Sequence, residues 1–502
     1  MSISTTSPPS RPTPQAKVPA EVWRLAGVVI LGSFMTTLGS SLVNVGLNTI
    51  SRDFKAPLPD VQWVTSAYLI AFAASLPLNA WLSRRLGVGR LWLGALVAFT
   101  AASALCAPAP NLPVLVGLRA LQGLSGALLV PTGQTLIGQA AGPERMGRVL
   151  NATKIVVVLA PVIGPTIGGL LISNLSWRWL FLVNVPVGLL ALVLGLLLVP
   201  RGKPTAGRPF DLGGFALIAG GLPLIIYGVT VIGRHHGVIS PQVLATLPLG
   251  IVALVLFIWR SLTVATPVLD LRLFANRIYT AATSSVFLTG AALLGTMILF
   301  PLYFQLIRHQ SVIHTGLLML GIGGGTALSM PFGGPATDRI GGGIVTLFGL
   351  TTSLVGVLPL VFLDAHASFV VIEALQAVTG FGLGLSTMPA LSVAYATVPR
   401  DRLPDATSEA NIIQRLGGSV GSVMLVLILE KDGAATIGAF HTACLCLAGA
   451  IFLAVVLATW LTIEERRRRR HQQAPQRHRH RADRPRSASL RGCMAPTGRH
   501  RR

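Results

Sequence analysis

Apolar runs of about twenty residues recur along the whole 502-residue chain, and little else separates them. A run of that length matches the hydrocarbon thickness of a bilayer when wound as a helix. Backbone polar groups in hydrocarbon must bond within their own segment, so the runs dictate helices. We read fourteen spans, at 25–47, 62–82, 91–108, 113–137, 150–173, 179–199, 212–232, 243–263, 279–305, 313–333, 343–363, 368–391, 406–429 and 438–462. Charged residues make up 11% of the chain, against about a quarter in soluble domains, which excludes a soluble globular fold.

The net charge of +23 invites a nucleic-acid reading, but much of it lies in the last forty residues and the rest in short connections. Arg84, Arg85 and Arg90, Arg145 and Arg148, Arg201, Lys203 and Arg208, Arg272 and Arg277, and Arg400 and Arg402 fall in alternate connections, on the side of the basic ends. The opposite connections are poor in charge. This is the positive-inside pattern, so both termini are expected in the cytoplasm, the span number is even, and no nucleic-acid partner is expected. The polar N-terminus, rich in Pro, Ser and Thr, is not a signal peptide, so the first run is kept as a span. Cys106, Cys444, Cys446 and Cys493 offer neither a disulfide framework nor metal spacing, and no cofactor or metal is expected.

Arg119 lies inside the fourth run, roughly 10 Å from its far end at 1.5 Å per residue. A guanidinium in hydrocarbon needs a partner or a water-filled path. The stretch Arg119-Ala120-Leu121-Gln122 returns 254 residues later as Glu373-Ala374-Leu375-Gln376, with the charge reversed. At the same offset Ala80, Arg84, Arg85 and Gly87 answer to Gly334, Asp338, Arg339 and Gly341, and Gly164 to Gly418. The chain therefore reads as a cytoplasmic N-terminus (1–24), a six-helix bundle (25–199), a linker with two inserted helices (200–278), a second six-helix bundle (279–462) and a disordered basic tail (463–502). Two parallel six-span repeats with a path between them are a transporter arrangement.

The motifs carry a resemblance over all but the tail. Leu38 to Asn48 in span one, Pro77 to Arg90, Arg119 to Gly126, Ala160 to Gly169 and Trp177 to Gly188 resemble the major facilitator superfamily, in its fourteen-span drug/proton antiporter branch of the EmrB/QacA type. Phe210 to Gly213, Pro267 to Phe274 and Asn411 to Gly421 are similar to that branch as well. The resemblance implies an all-α polytopic membrane protein with the major facilitator fold. It implies a secondary transporter, not an enzyme, that exports small amphipathic compounds by proton antiport across the bacterial inner (plasma) membrane and works as a monomer. The motifs are specific for family and weak for substrate.

Candidate pathway and coupling residues are Arg119 and Glu373, expected to pair on the outer side of a central cavity, with Asn44, Gln122, Asn411, Gln414 and Glu409. Ala80, Arg84, Arg85 and Gly87, with Asp338, Arg339 and Gly341, form the loop motif and its copy, which the resemblance makes a conformational latch. Gly164, Pro165, Gly168 and Gly169 form the antiporter motif, where small residues permit close packing and proline a bend.

Three departures matter. Gly39 stands where the branch carries a coupling aspartate, which leaves Glu373 or Glu409 as the coupling acid. Arg84 stands where the loop motif has an aspartate, and Asp405 or Glu409 is expected to offset it. Gln414-Arg415 stands where the branch tends to have Arg-Gln. No lysine precedes Ser or Thr in a Gly-rich phosphate loop, which removes an ATP-driven pump. The alternatives are uptake or uncoupled facilitation of a specific metabolite and, remotely, a membrane-embedded enzyme, whose histidines would have to cluster where these are scattered.

Overall fold

The computed structural model describes residues 18–142, 145–202, 204, 209–234, 241–364, 366–430 and 436–482. Among the described residues every regular element is helical. Fourteen helices overlay the expected spans: α1 Ala20–Phe54, α2 in two pieces (Trp63–Ser75 and Leu78–Leu86), α3 Val88–Cys106, α4 Leu112–Ala141, α5 Met146–Asn174, α6 Asn184–Leu198, α7 Leu212–Arg234, α8 Pro241–Thr263, α9 Arg277–Leu302, α10 Leu320–Ile340, α11 Gly342–Val357, α12 Phe369–Ala396, α13 Leu403–Glu430 and α14 Ile437–Ala482. Among the described residues ten helices are long and apolar enough to cross a membrane, and the two pieces of α2, bent by 61°, add an eleventh if they count as one span. The bend falls at Leu76-Pro77, where a ring replaces a backbone donor.

Local chemistry sets the ends. Asn111 starts α4 by accepting from the Val114 amide at 3.0 Å, and Asn276 starts α9 by accepting from the Ile278 amide at 3.0 Å. Gly87 and Gly341, the repeat-related glycines of the loop motif, close α2 and α10 with φ of +89° and +101°. Only a residue without a β-carbon adopts that conformation freely.

Helices α1–α6 pack as one bundle and α9–α14 as another, while α7 and α8 pair with each other and α7 also leans on α2 and α13. The last helix does not stop near 462 but continues to Ala482. Glu465 explains part of this, because its Oε2 accepts the Gly343 amide at 2.8 Å and tethers the extension to the positive N-terminal end of α11. The rest of the expected tail, 483–502, lies outside the described residues.

The buried apolar cores fix the molecule's shape. One continuous core crosses both bundles at the face that carries the two chain ends. It joins Val22, Leu136, Ile137 and Met146 of the first bundle to Tyr279, Leu391, Leu403 and Ala406 of the second. Toward the far face the cores separate. Leu42, Val64, Leu115 and Phe181 belong to a cluster of the first bundle alone, and Leu299, Phe304, Leu383 and Phe440 to one of the second alone. The bundles are thus sealed at the terminal face and parted at the far face.

Candidate functional site: a sealed seam beneath an open cleft

Polar bonds between the bundles lie in the sealed half, on α2, α4 and α5 facing α10 and α13. Asn79, which accepts from Thr132 of its own bundle, donates across to Ser408 Oγ at 2.9 Å, the Thr135 and Thr407 hydroxyls meet at 2.9 Å, and Asn411 donates to Gln134 Oε1 at 2.9 Å. On the other flank Asn151 donates to the Met330 carbonyl at 2.5 Å. Each donor sits on a helix with small neighbours, so the backbones approach closely. A β-carbon on Gly334 would lie 2.7 Å from Arg148 Cα.

Two ion pairs bracket this seam. Arg84 meets Asp405 at 2.6 Å and Arg148 meets Asp338 at 2.7 Å, with all four side chains mostly buried. Arg84 and Asp338 are repeat mates. The repeat position of Asp405 is Asn151, one helical turn from Arg148. The two pairs are therefore the same joint built twice with opposite polarity. This accounts for arginine at position 84: an aspartate there would face Asp405. Asp405, not Glu409, is the partner.

Glu409 lies one turn further into α13, 2% exposed. Its Oε2 accepts from the Tyr279 hydroxyl at 2.8 Å, and its Oε1 has no hydrogen-bond partner among the described residues. Of the acids on α10, α12 and α13, Asp338 and Asp405 are held by arginines, and among the described residues Glu373 and Glu409 are held by none. Arg85 and Arg339 of the loop motif point outward, Arg85 over the Trp81 ring at 5.1 Å, and Ala80 is buried.

The expected pair across the far side is not formed. Arg119 is fully buried inside the first bundle, where its Nε donates to the Val64 carbonyl at 3.0 Å and a terminal nitrogen donates to Gln122 Oε1 at 2.5 Å. The Tyr68 ring lies 4.3 Å from its guanidinium, and Gln122 passes the chain on to Ser103 at 2.6 Å. Glu373 is half-buried where α12 meets Gly321 of α10, with no ion pair to Arg119. Repeat mates occupy equivalent places on opposite sides of a pseudo-twofold, and symmetry brings them together only near the axis.

Gln414 packs on Gly290 within the second bundle. Gly164 is buried, and a β-carbon on Gly168 would lie 3.3 Å from Leu42 of α1, while one on Gly169 would meet nothing within 4 Å. This contact lies within the first bundle; the surfaces of α5 that face the second bundle are at Gly147, Arg148 and Asn151. The side chains of Asn44 and Pro165 lie outside the described residues.

In the sequence Arg148 stands out only as a topology charge, and Asn79, Thr135, Tyr279, Thr407 and Ser408 carry no distinguishing pattern. The repeat offset held the signal for Arg148, since Asp405 maps within a turn of it.

Comparison with known proteins follows the same lines. The family model of the Major Facilitator Superfamily matches residues 29–309 and 282–494. A Multidrug resistance protein B homolog of Mycobacterium tuberculosis is 34% identical over 409 residues, covering 81% of this chain and 76% of the relative. The Lincomycin resistance protein LmrB of Listeria innocua is 26% identical over 401 residues, covering 80% and 85%. Among solved structures, the proton:xylose symporter XylE superposes with a TM-score of 0.63 at 14% identity, over 88% of this chain and 95% of that one. The human organic anion transporter MFSD10 gives 0.60 at 15%, over 88% and 100%. The chain belongs to the Major Facilitator Superfamily. Its drug-resistance relatives put it in that superfamily's drug-efflux branch, a multi-pass membrane transporter of small molecules and not an enzyme.

Proposed function

We propose that the chain exports small amphipathic compounds across the bacterial plasma membrane by alternating access, driven by inward proton flow, and acts as a monomer. The reading rests on one observation above others: the bundles are sealed at the terminal face and parted at the far face, with a buried carboxyl at Glu409, paired with no cation among the described residues, beside the seal. The arginine-rich connections argue that the terminal face is cytoplasmic, so this state is open to the outside. In it Glu409 is shielded, and parting the seam would bring it toward water, as a proton carrier requires. The drug-resistance names of the relatives support a drug-like substrate. A missing acid at Gly39 favours the second reading, an uncoupled facilitator.

Inverted membrane vesicles carrying the chain separate the two. We expect accumulation of some members of a panel of anionic, neutral and cationic amphipathic compounds (fluorescein, anilinonaphthalene sulfonate, lincomycin and ethidium among them) when the lumen is acidified, and collapse of that accumulation with nigericin. Accumulation indifferent to the pH gradient would contradict proton antiport, and no accumulation of any member would contradict export.

A further inference from the structure

The floor of the open cleft carries a charge that the protein itself leaves unbalanced. Arg415 lies about 18 Å along α13 from its terminal-face end, at 1.5 Å per residue. It is nonetheless exposed, and its guanidinium lies 3.9 Å from the Phe72 ring of α2, across the gap between the bundles. One turn below, Ile412 belongs to the core that joins the bundles, and Leu425 beyond belongs to the separate core of the second. The exposed guanidinium therefore sits where the seal ends and the cleft begins.

Among the described residues no carboxylate answers it. Arg415 takes part in no ion pair among the described residues, and neither does Arg119, whose Nη2 is buried without a hydrogen-bond partner. The two guanidiniums flank one aromatic pair: Arg119 stacks on Tyr68, Arg415 on Phe72, and the two rings are 5.9 Å apart. From Trp63 to Leu198 the chain holds a single acid, Glu144, in the connection between α4 and α5. In the second bundle Asp338, Asp405 and Glu409 are engaged at the seam below, and Glu373 lies near the opposite end of the membrane. Two cations a few ångströms from one aromatic pair, with low-dielectric walls, make a positive potential focused on the cleft floor.

We infer that this floor is the binding site for the charged end of the substrate, and that the substrate is an amphipathic organic anion. Its carboxylate, sulfonate or phosphate would take the guanidinium of Arg415, a fork that matches such groups with two parallel hydrogen bonds. Arg119 adds attraction from behind Tyr68. The inference rests on the export reading and narrows it. It also gives Gly39 a sense: an acid in span one, within the same bundle as Arg119, would offset the field that an anion needs.

The test uses the full-length protein in lipid nanodiscs and in inverted vesicles, with fluorescein and anilinonaphthalene sulfonate as anionic probes and ethidium and tetraphenylphosphonium as cationic ones. Equilibrium dialysis should show anions bound above empty nanodiscs and cations not. Arg415→Gln should weaken anion binding about tenfold or more, the loss expected for a charge-assisted bond. Arg415→Lys should restore part of it. Phe72→Leu should leave anion binding within about threefold of wild type, because that ring supports the guanidinium and does not meet the anion. Equal losses in Arg415→Gln and Phe72→Leu would make Arg415 a packing residue and overturn the inference. Cation binding and transport without anion binding would overturn it too, while leaving export intact. Anion binding with no transport of any probe would instead count against the export reading alone.

Discussion

Replacing Arg84 with aspartate is expected to lower export by about tenfold or more, and pairing it with Asp405→Arg to restore most of the loss. The single change sets two carboxylates where a 2.6 Å ion pair stood, at a joint about four-fifths removed from solvent. Leaving one member of such a pair uncompensated costs about 2–3 kcal/mol, somewhat less than a fully buried pair. That penalty falls on the sealed state alone, so the balance between sealed and parted states shifts by roughly thirtyfold or more. A transporter that must visit both states is slowed when either becomes rare. The swapped pair recreates the joint with the polarity that Arg148–Asp338 displays inverted on the other flank, so the architecture tolerates both polarities. Transport rates of the two single variants and the double variant form a cycle. Independent, additive losses would mean that the pair does not act as a unit.

The second large effect is expected at Glu409. Glu409→Gln keeps the shape and the bond with Tyr279 but removes the exchangeable proton. The variant should fold and bind substrate, yet lose gradient-driven accumulation by about tenfold or more, while exchange of labelled for unlabelled substrate without a gradient persists. Tyr279→Phe, which removes the only hydroxyl bonded to that carboxyl among the described residues, should shift the pH profile of export and leave its maximum largely intact. The same experiment on Glu373→Gln is the control. Glu373 is half-buried, distant from the seal and engaged with no partner among the described residues, so its loss should leave coupling unchanged. If Glu373→Gln uncouples transport and Glu409→Gln does not, the coupling acid has been misplaced.

Much of the architecture could be read from the chain because the bilayer removes most alternatives. Twenty-residue apolar runs become helices, and Gly87 and Gly341 turn at the same repeat position with the same sign of φ. Partner choice was less legible. The sign reversal between Arg119 and Glu373 suggested a bond, but Arg119 finds its partners in the Val64 carbonyl and Gln122 of its own bundle, closer than any repeat mate. The joint that does exist, Arg84 with Asp405, links positions 321 residues apart. Sequence reading could name two acids for Arg84, and geometry was needed to choose the one nearer the end of α13. The threonines and serine of the seam carry no sequence signal, because the same residues elsewhere merely bond back to their own helix, as Thr100 and Ser125 do. Arg415 stood out only as an inversion of a motif. Its exposure at mid-depth, which gives the inversion a consequence, is a property of the cleft.

The central claim is that the seam at the terminal face opens and closes in every transport cycle. Thr135 and Thr407, whose hydroxyls meet at 2.9 Å across it, can be replaced together by cysteines with little change in volume. Oxidising that pair in vesicles should arrest export, and reduction should restore it, with either single variant indifferent to both treatments. Undiminished export by the cross-linked protein would contradict the account.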